Sequence, residues 1–246
     1  MRSVSPALNR SCTGNEMTAL KFGAQELPDL DDYATLAEQF VPGRRAIFAI
    51  VEASFLELLP KGSARILVVG AGGGEEILRL GSDNPDWWFV GVDTHRPMVD
   101  LALRRLDGIP VGARSQMVET AIENLDQRDF DAATCILTAH FVPDDGAKLA
   151  FFKAIHARMK PGAPLAIVDG TGIPGEPETE LLRRIWTRHA VRNGVAEEAA
   201  EANAENFKKV AVVSAERQED LLTSAGFERL TPIFRVLSIK GWLAFA

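Results

Sequence analysis

The sequence predicts an α/β fold: three layers, with a mostly parallel seven-stranded sheet between helices and an antiparallel hairpin at its C-terminal end. Three observations carry that expectation. An apolar, mostly β-branched run, residues 66–69 (ILVV), passes straight into Gly70-Ala71-Gly72-Gly73-Gly74. Strand-like and helix-like segments then alternate as far as Gly170, the pattern of successive βα units. Finally, two β-like runs at 230–234 and 237–245 close the chain without a helix between them.

Each element has a local reason. Residues 1–29 contain no apolar stretch of signal-peptide type and read as an irregular tail ahead of one domain spanning 30–246. A short helix is expected at 31–40, broken by Val41-Pro42-Gly43, and a longer one at 44–59 with Ile47, Ile50, Val51, Phe55 and Leu58 on its apolar face. The run 66–69 has no polar alternation, as suits a strand buried on both faces. A helix follows at 74–80. A second strand, 87–92, ends in Asp93, and Pro97 falls in the first turn of the next helix, 94–106, where its missing N–H costs little. Residues 111–118 form a weaker third strand, and 130–138 (FDAATCILT) a buried fourth. Asp144 or Asp145 can cap a helix whose apolar face is Leu149, Phe152, Ile155 and Met159. Pro161-Gly162 stops it before a fifth strand, 165–168, that runs into Asp169-Gly170. Two helices, 178–193 and 196–207, are read as a helical lid covering about 176–212. A last helix, 214–225, is capped by Ser214.

Composition narrows the function classes. A net charge of −7 argues against nonspecific binding to nucleic acid or an anionic membrane, since neither polyanion would be attracted. No apolar stretch is long enough to span a bilayer, and a cytoplasmic setting is the expectation. Cys12 and Cys135 make neither a disulfide framework nor a metal quartet. No zinc ligand set and no activated serine or cysteine nucleophile is visible. Nothing in the pattern decides between a monomer and a homodimer.

The glycine turn is where chemistry is expected. Glycines supply positive φ and a backbone a ligand can approach closely, and the helix that follows points free N–H groups toward it. A dinucleotide fingerprint needs Gly or Ala at its sixth position. Here that position is Glu75, whose charge would oppose a pyrophosphate. What remains, Gly70-x-Gly72-x-Gly74, suits a ligand without phosphate.

Taken together, these pieces resemble the class I S-adenosylmethionine-dependent methyltransferases, which have a three-layer Rossmann-like sandwich. The resemblance rests on FVPGRR, VVGAGGG, VGVD, FDAATCILTAHFV, MKPGAPLAIVDG, AGFERL and the terminal GWLAF, spread over residues 41–246. Within that superfamily the chain is similar to the small branch containing carboxy-S-adenosylmethionine synthase. It has no clear arginine in 196–210 at the place of that branch's carboxyl-binding one, only Lys208 and Lys209. The resemblance implies S-adenosyl-L-methionine as cofactor, a small-molecule acceptor, and cofactor contacts from Gly70, Ala71, Gly72, Gly74, Asp93, Thr94, Thr120, Ala121 and Thr138. Asp93 would accept hydrogen bonds from the ribose hydroxyls, and Arg44 would either pair with the cofactor's carboxylate or be a solvated helix charge. The acid that often stands two positions before the first glycine, beside the cofactor's amino group, is Val68 here, so that contact comes from Glu75, from a backbone carbonyl, or is absent. Around adenine, Thr120 or Glu119 replaces the usual Asp.

Methyl transfer from a sulfonium is an in-line displacement, so alignment is the protein's main task. His140, at the carboxyl end of the fourth strand, is the candidate catalytic base for a hydroxyl acceptor, or else a histidine that packs and hydrogen-bonds locally. Asp169 either lines the same cleft or serves its turn. Arg184, Arg188 and Arg192 recur at helical spacing near Trp186 and read as a solvated basic face, or as a site for an anionic acceptor. Two alternatives stand beside the transferase: a non-catalytic or sensor descendant of the fold that binds the same cofactor, and a nicotinamide oxidoreductase. Glu75 and the closing hairpin argue against the latter.

Overall fold

In the computed structural model, residues 20–22, 25–27 and 30–246 are described, with side-chain surroundings from residue 34 onward. Two short strands, β1 (Leu20–Phe22) and β2 (Gln25–Leu27), pair antiparallel where an irregular tail is expected from sequence. The remainder of that tail, Cys12 included, lies outside the described residues.

The main sheet has seven strands in the order β5-β4-β3-β6-β7-β9-β8. β3 (Ala64–Val69), β4 (Trp87–Asp93), β5 (Ser115–Glu119), β6 (Ala132–Ile136) and β7 (Pro164–Gly170) are parallel. β8 (Glu228–Val236) and β9 (Ile239–Phe245) are antiparallel, with β9 inserted against β7. Strand order reverses between β3 and β6, and the crevice at such a reversal is where α/β sheets bind ligands.

Side chains alternate across the sheet as the two-residue period requires. Ile66 and Val68 of β3 join one core with Phe40, Val51 and Phe55; Leu67 and Val69 join a second with Phe152, Ile155, Leu221 and Trp242. The first face is covered by α1 (Leu30–Phe40), α2 (Arg44–Leu58) and α3 (Glu75–Ser82), the second by α5 (Ala147–His156) and α8 (Ala215–Ser224). Fully burying Val51 or Phe55 is worth about 1.5–3 kcal/mol each. On α2 the expected face is shifted: Phe48 is buried and Leu58 is exposed.

Caps explain some boundaries and correct others. Ser214 Oγ accepts from Arg217 N at 3.1 Å and starts α8 as expected. α5 instead begins behind Gly146 in a left-handed conformation, with no side-chain cap. Asp145 Oδ1 accepts only the Ala147 amide, and Asp144 is drawn away into a bidentate pair with Arg217. α4 (Arg96–Leu106) starts two residues later than expected, with Pro97 in its first turn. The third strand is shortened to β5 because residues 112–114 form a 3-10 turn. α6 (Pro177–Arg192) and α7 (Glu197–Phe207) pack on the α1 side, where Trp186 lies 5.5 Å from Phe40 and 5.9 Å from Phe207. No helix among the described residues is long and apolar enough to cross a membrane.

Candidate active site

β3 ends where the amides of Gly70 and Ala71 both donate to Val92 O, at 2.9 and 3.0 Å, folding the glycine turn over the end of β4. Gly70, Gly72 and Gly74 have φ of 70°, 49° and 78°, a region costly for side-chain-bearing residues. Space is as decisive as torsion. A Cβ on Gly70 would collide with the Thr138 side chain, and one on Gly74 would meet Ala102 at 3.2 Å. Gly70 and Gly72 are half-buried, so their backbone is the open part of the cradle. Ala71 is 2% exposed and Gly74 packs on α4. These two, expected beside the cofactor, shape the turn from behind.

Asp93, the last residue of β4, stitches this turn to the next helix. Its Oδ2 accepts the Gly72 amide and its Oδ1 the His95 amide, both at 2.8 Å. Each oxygen keeps a further lone pair, and the residue is half-buried. A carboxylate held in place by two backbone donors, with two acceptor positions left side by side, matches the hydroxyl pair of a ribose. Thr94 is exposed next to it. Thr120 N donates to Asp93 O at 3.0 Å, bringing the half-buried Thr120 and Ala121 to the same edge. Glu119 is turned to Arg96 at 3.0 Å.

Glu75 and Arg44 are placed otherwise than expected. Glu75 meets Arg79 and Arg105, each at 2.6 Å, and Arg105 also donates to Gly73 O at 2.8 Å. Burial opposes its charge, but Arg105, Arg44 and Arg79 together hold its carboxyl below the ordinary value. Arg44, 8% exposed, pairs with Glu38 at 3.2 Å and approaches Glu75 at 3.7 Å, its guanidinium over the Phe48 ring. The two charges anticipated for the cofactor's amino acid part are thus engaged with each other and with neighbours, tying α1, α2, α3 and α4 around the turn.

On the other side of the crevice β6 ends at Ile136. Leu137 is left-handed, with φ of 54°, and its amide donates to Val168 O at 2.7 Å. A non-glycine residue in that region costs of order 1–3 kcal/mol and persists where its surroundings demand it. The reversal carries the 3-10 turn Ala139–Phe141 over the end of β7. There His140 Nδ1 is hydrogen-bonded to Asp169 Oδ1, both groups buried, and Asp169 Oδ1 also accepts the Gly170 amide at 2.9 Å. His140 lies against Phe141 and Phe207, at 4.2 and 5.8 Å between ring centroids. Its Nε2 makes no hydrogen bond, yet Gln218 Nε2 is the only enclosed, unpartnered side-chain polar atom among the described residues. His140 Nε2 therefore borders accessible space.

Lys148 secures this turn from below. Its Nζ donates to Ala139 O at 2.9 Å and Ala211 O at 2.7 Å, while Ala211 N donates to His140 O at 2.7 Å. Burial lowers its pKa, and Asp169 and Asp144 oppose that shift. Sequence reasoning missed Lys148, a lone lysine on a helix with an apolar face; its 1% exposure is a tertiary fact. Cys135 is also buried beside the site, and burial pushes its thiol well up, away from thiolate chemistry. Thr138 faces Gly70 and bridges the two halves of the crevice. Arg184, Arg188 and Arg192 are exposed on α6, Arg188 approaching Glu197 at 3.8 Å, as a solvated face would be. A cavity of about 400 Å³ lined by Thr35, Glu38, Gln39, Arg45, Arg79 and Asn193 lies beyond the Glu38–Arg44 pair; it shares no lining residue with the glycine turn or the His–Asp pair. Among the described residues no cluster of three or more His, Cys, Asp or Glu is placed to hold a metal ion.

Residues 67–165 match a family model described as a methyltransferase domain. That span begins inside β3 and ends inside β7, so it contains the glycine turn, Asp93 and His140. A comparison with curated protein sequences finds no match. Several solved structures share the fold. Human N-acetylserotonin methyltransferase, solved in complex with SAM, is 16% identical, with a TM-score of 0.61 over 88% of this chain and 55% of its own. An O-methyltransferase family protein from Burkholderia thailandensis is 12% identical, with a TM-score of 0.63 over 88% of this chain and 59% of its own. The [4+2]-cyclase SpnF is 19% identical, with a TM-score of 0.53 over 74% and 58%. This chain spans less than three-fifths of the length of each. Identities this low establish the fold alone, and a cyclase among the neighbours means the reaction must be argued from the site.

Proposed function

We propose that the protein is an S-adenosyl-L-methionine-dependent methyltransferase acting on a small molecule with a hydroxyl acceptor, and that residues 30–246 form its single catalytic domain. The observation that carries this reading is the buried His140–Asp169 pair, set at the same sheet edge as the glycine turn and Asp93. A hydroxyl acceptor needs a base beside the methyl, whereas a sensor that only binds the cofactor needs none.

When bound, S-adenosyl-L-methionine supplies an electrophilic methyl whose displacement leaves a neutral thioether. The chain's residues do the rest. Gly70 and Gly72 let the backbone approach the ligand, and Asp93 offers its two remaining acceptor positions to the ribose hydroxyls. Thr94, Thr120 and Ala121 would border the ligand's adenine. Asp169 accepts the Nδ1 proton of His140 and so directs the free Nε2 lone pair outward. Nε2 would take the proton from the acceptor's hydroxyl, leaving its oxygen as the nucleophile toward the methyl that the bound cofactor would supply. Phe207 of α7 lies beside His140 and Trp186 of α6 lies beside Phe207, so these two helices bring an apolar edge toward the pair.

Titration calorimetry with S-adenosylhomocysteine, and with NADH as control, tests the cofactor. Heat with NADH and none with S-adenosylhomocysteine rejects the reading. Once an acceptor is identified, His140→Ala is expected to lower turnover about 10²–10⁴-fold and to leave cofactor affinity nearly intact. Full activity in that variant removes His140 from the mechanism.

A further inference from the structure

Glu76, in the first turn of α3 just past the glycines, is 5% exposed and makes no ion pair among the described residues. Its Oε1 accepts from Thr134 Oγ1 at 3.3 Å. Thr134 is the register partner of Val68 on the neighbouring strand, so the carboxyl stands over the same sheet face as Val68, beside the glycine turn. Its second oxygen, Oε2, has no hydrogen bond. Since Gln218 Nε2 is the only enclosed unpartnered polar atom among the described residues, Oε2 also borders accessible space. The charged or titratable groups that reach Glu76 are Arg44 from α2, Asp93 from β4, Glu75 from its own helix and the Cys135 thiol from β6. Burial raises its pKa to about 8. Thr134 and Arg44 oppose the rise; Asp93 and Glu75 add to it.

A buried acid with an open oxygen and no resident cation is costly unless a ligand completes it. Arg44 cannot complete it, being engaged with Glu38 and Glu75. The cofactor named above carries two positive centres, and only the α-ammonium has N–H donors for a carboxylate. We propose that Glu76 binds that α-ammonium group, an inference that rests on the cofactor reading. Binding transfers the Glu76 proton to solvent, and the carboxylate so formed accepts from the ammonium through Oε2. With Asp93 on the ribose, the ligand is held by an acid at each end.

The test compares S-adenosylhomocysteine with 5′-methylthioadenosine, which keeps the nucleoside and lacks the amino acid part, on wild type and Glu76→Gln by titration calorimetry. Glutamine matches the neutral acid in shape, so folding is retained. The expected result is a loss of at least about tenfold in S-adenosylhomocysteine affinity with methylthioadenosine affinity unchanged. Repeated at pH 7 in buffers of different ionisation enthalpy, wild type releases most of a proton on binding S-adenosylhomocysteine and the variant none. Equal affinity of variant and wild type for S-adenosylhomocysteine overturns the assignment while leaving the cofactor reading in place. So does a parallel loss of both ligands, which marks a structural role. Wild type that binds neither ligand refutes the cofactor reading, and this inference with it.

Discussion

Replacing Asp93 separates its two duties, since its oxygens serve both the protein and the proposed ligand. In Asp93→Asn one carbonyl oxygen remains for the Gly72 or the His95 amide, while the new NH₂ faces a donor. His95 is exposed, so water can replace its bond; Gly72 is half-buried, so its orphaned amide costs about 1–3 kcal/mol. For the ligand, one charge-assisted acceptor is lost, worth about 1.5–3 kcal/mol, or roughly 10- to 150-fold in affinity. Asp93→Ala removes both acceptors and lowers affinity further. Urea unfolding gives the first quantity and titration with S-adenosylhomocysteine the second. A folded Asn variant that binds S-adenosylhomocysteine as tightly as wild type would show that the carboxylate meets only the backbone, and the ribose assignment would fail.

Two further outcomes follow from the site's geometry. Glu76 has a folded pKa of about 8 against an ordinary value of 4.5, so its stabilising effect is complete below about pH 4.5 and is lost as pH rises toward 8. The swing is at most about 5 kcal/mol. Wild type should therefore lose stability between pH 5 and 8 relative to Glu76→Gln, and superimposable pH profiles would contradict a buried acid. Gly70→Ala puts a Cβ at φ of 70° against Thr138 and should cost about 2–5 kcal/mol, the sum of left-handed strain and overpacking. A melting temperature within a degree of wild type would mean that Thr138 has room to move.

Much of this was readable in advance because it depends on local pattern. The run 66–69 into glycine and the strand end at Asp93 are short-range signals and lie where they were expected, whereas α5 stops at His156, ahead of Pro161-Gly162, and Met159 bridges to Phe130 instead of extending the helix. The position of His140 at the end of β6 followed from its place after a buried strand. Its partner was less certain: Asp169 sits 29 residues away, and only the pairing of β6 with β7 makes the two neighbours. Arg44 and Glu75 have protein partners that the sequence did not reveal, for a related reason. Their charges look free in the sequence, but α1, α3 and α4 bring Glu38, Arg79 and Arg105 to them.

By itself, then, the sequence determined the order of strands and helices, the position of the glycine turn and the acid that ends β4, because periodicity and turn chemistry act over a few residues. Tertiary structure alone decided which carboxylates are spent within the protein and which stay open. Glu75 and Glu76 are adjacent in the chain and equal in composition. One is ringed by arginines and the other is walled in beside Thr134 with an oxygen uncovered, a difference of burial and partners that no residue type encodes.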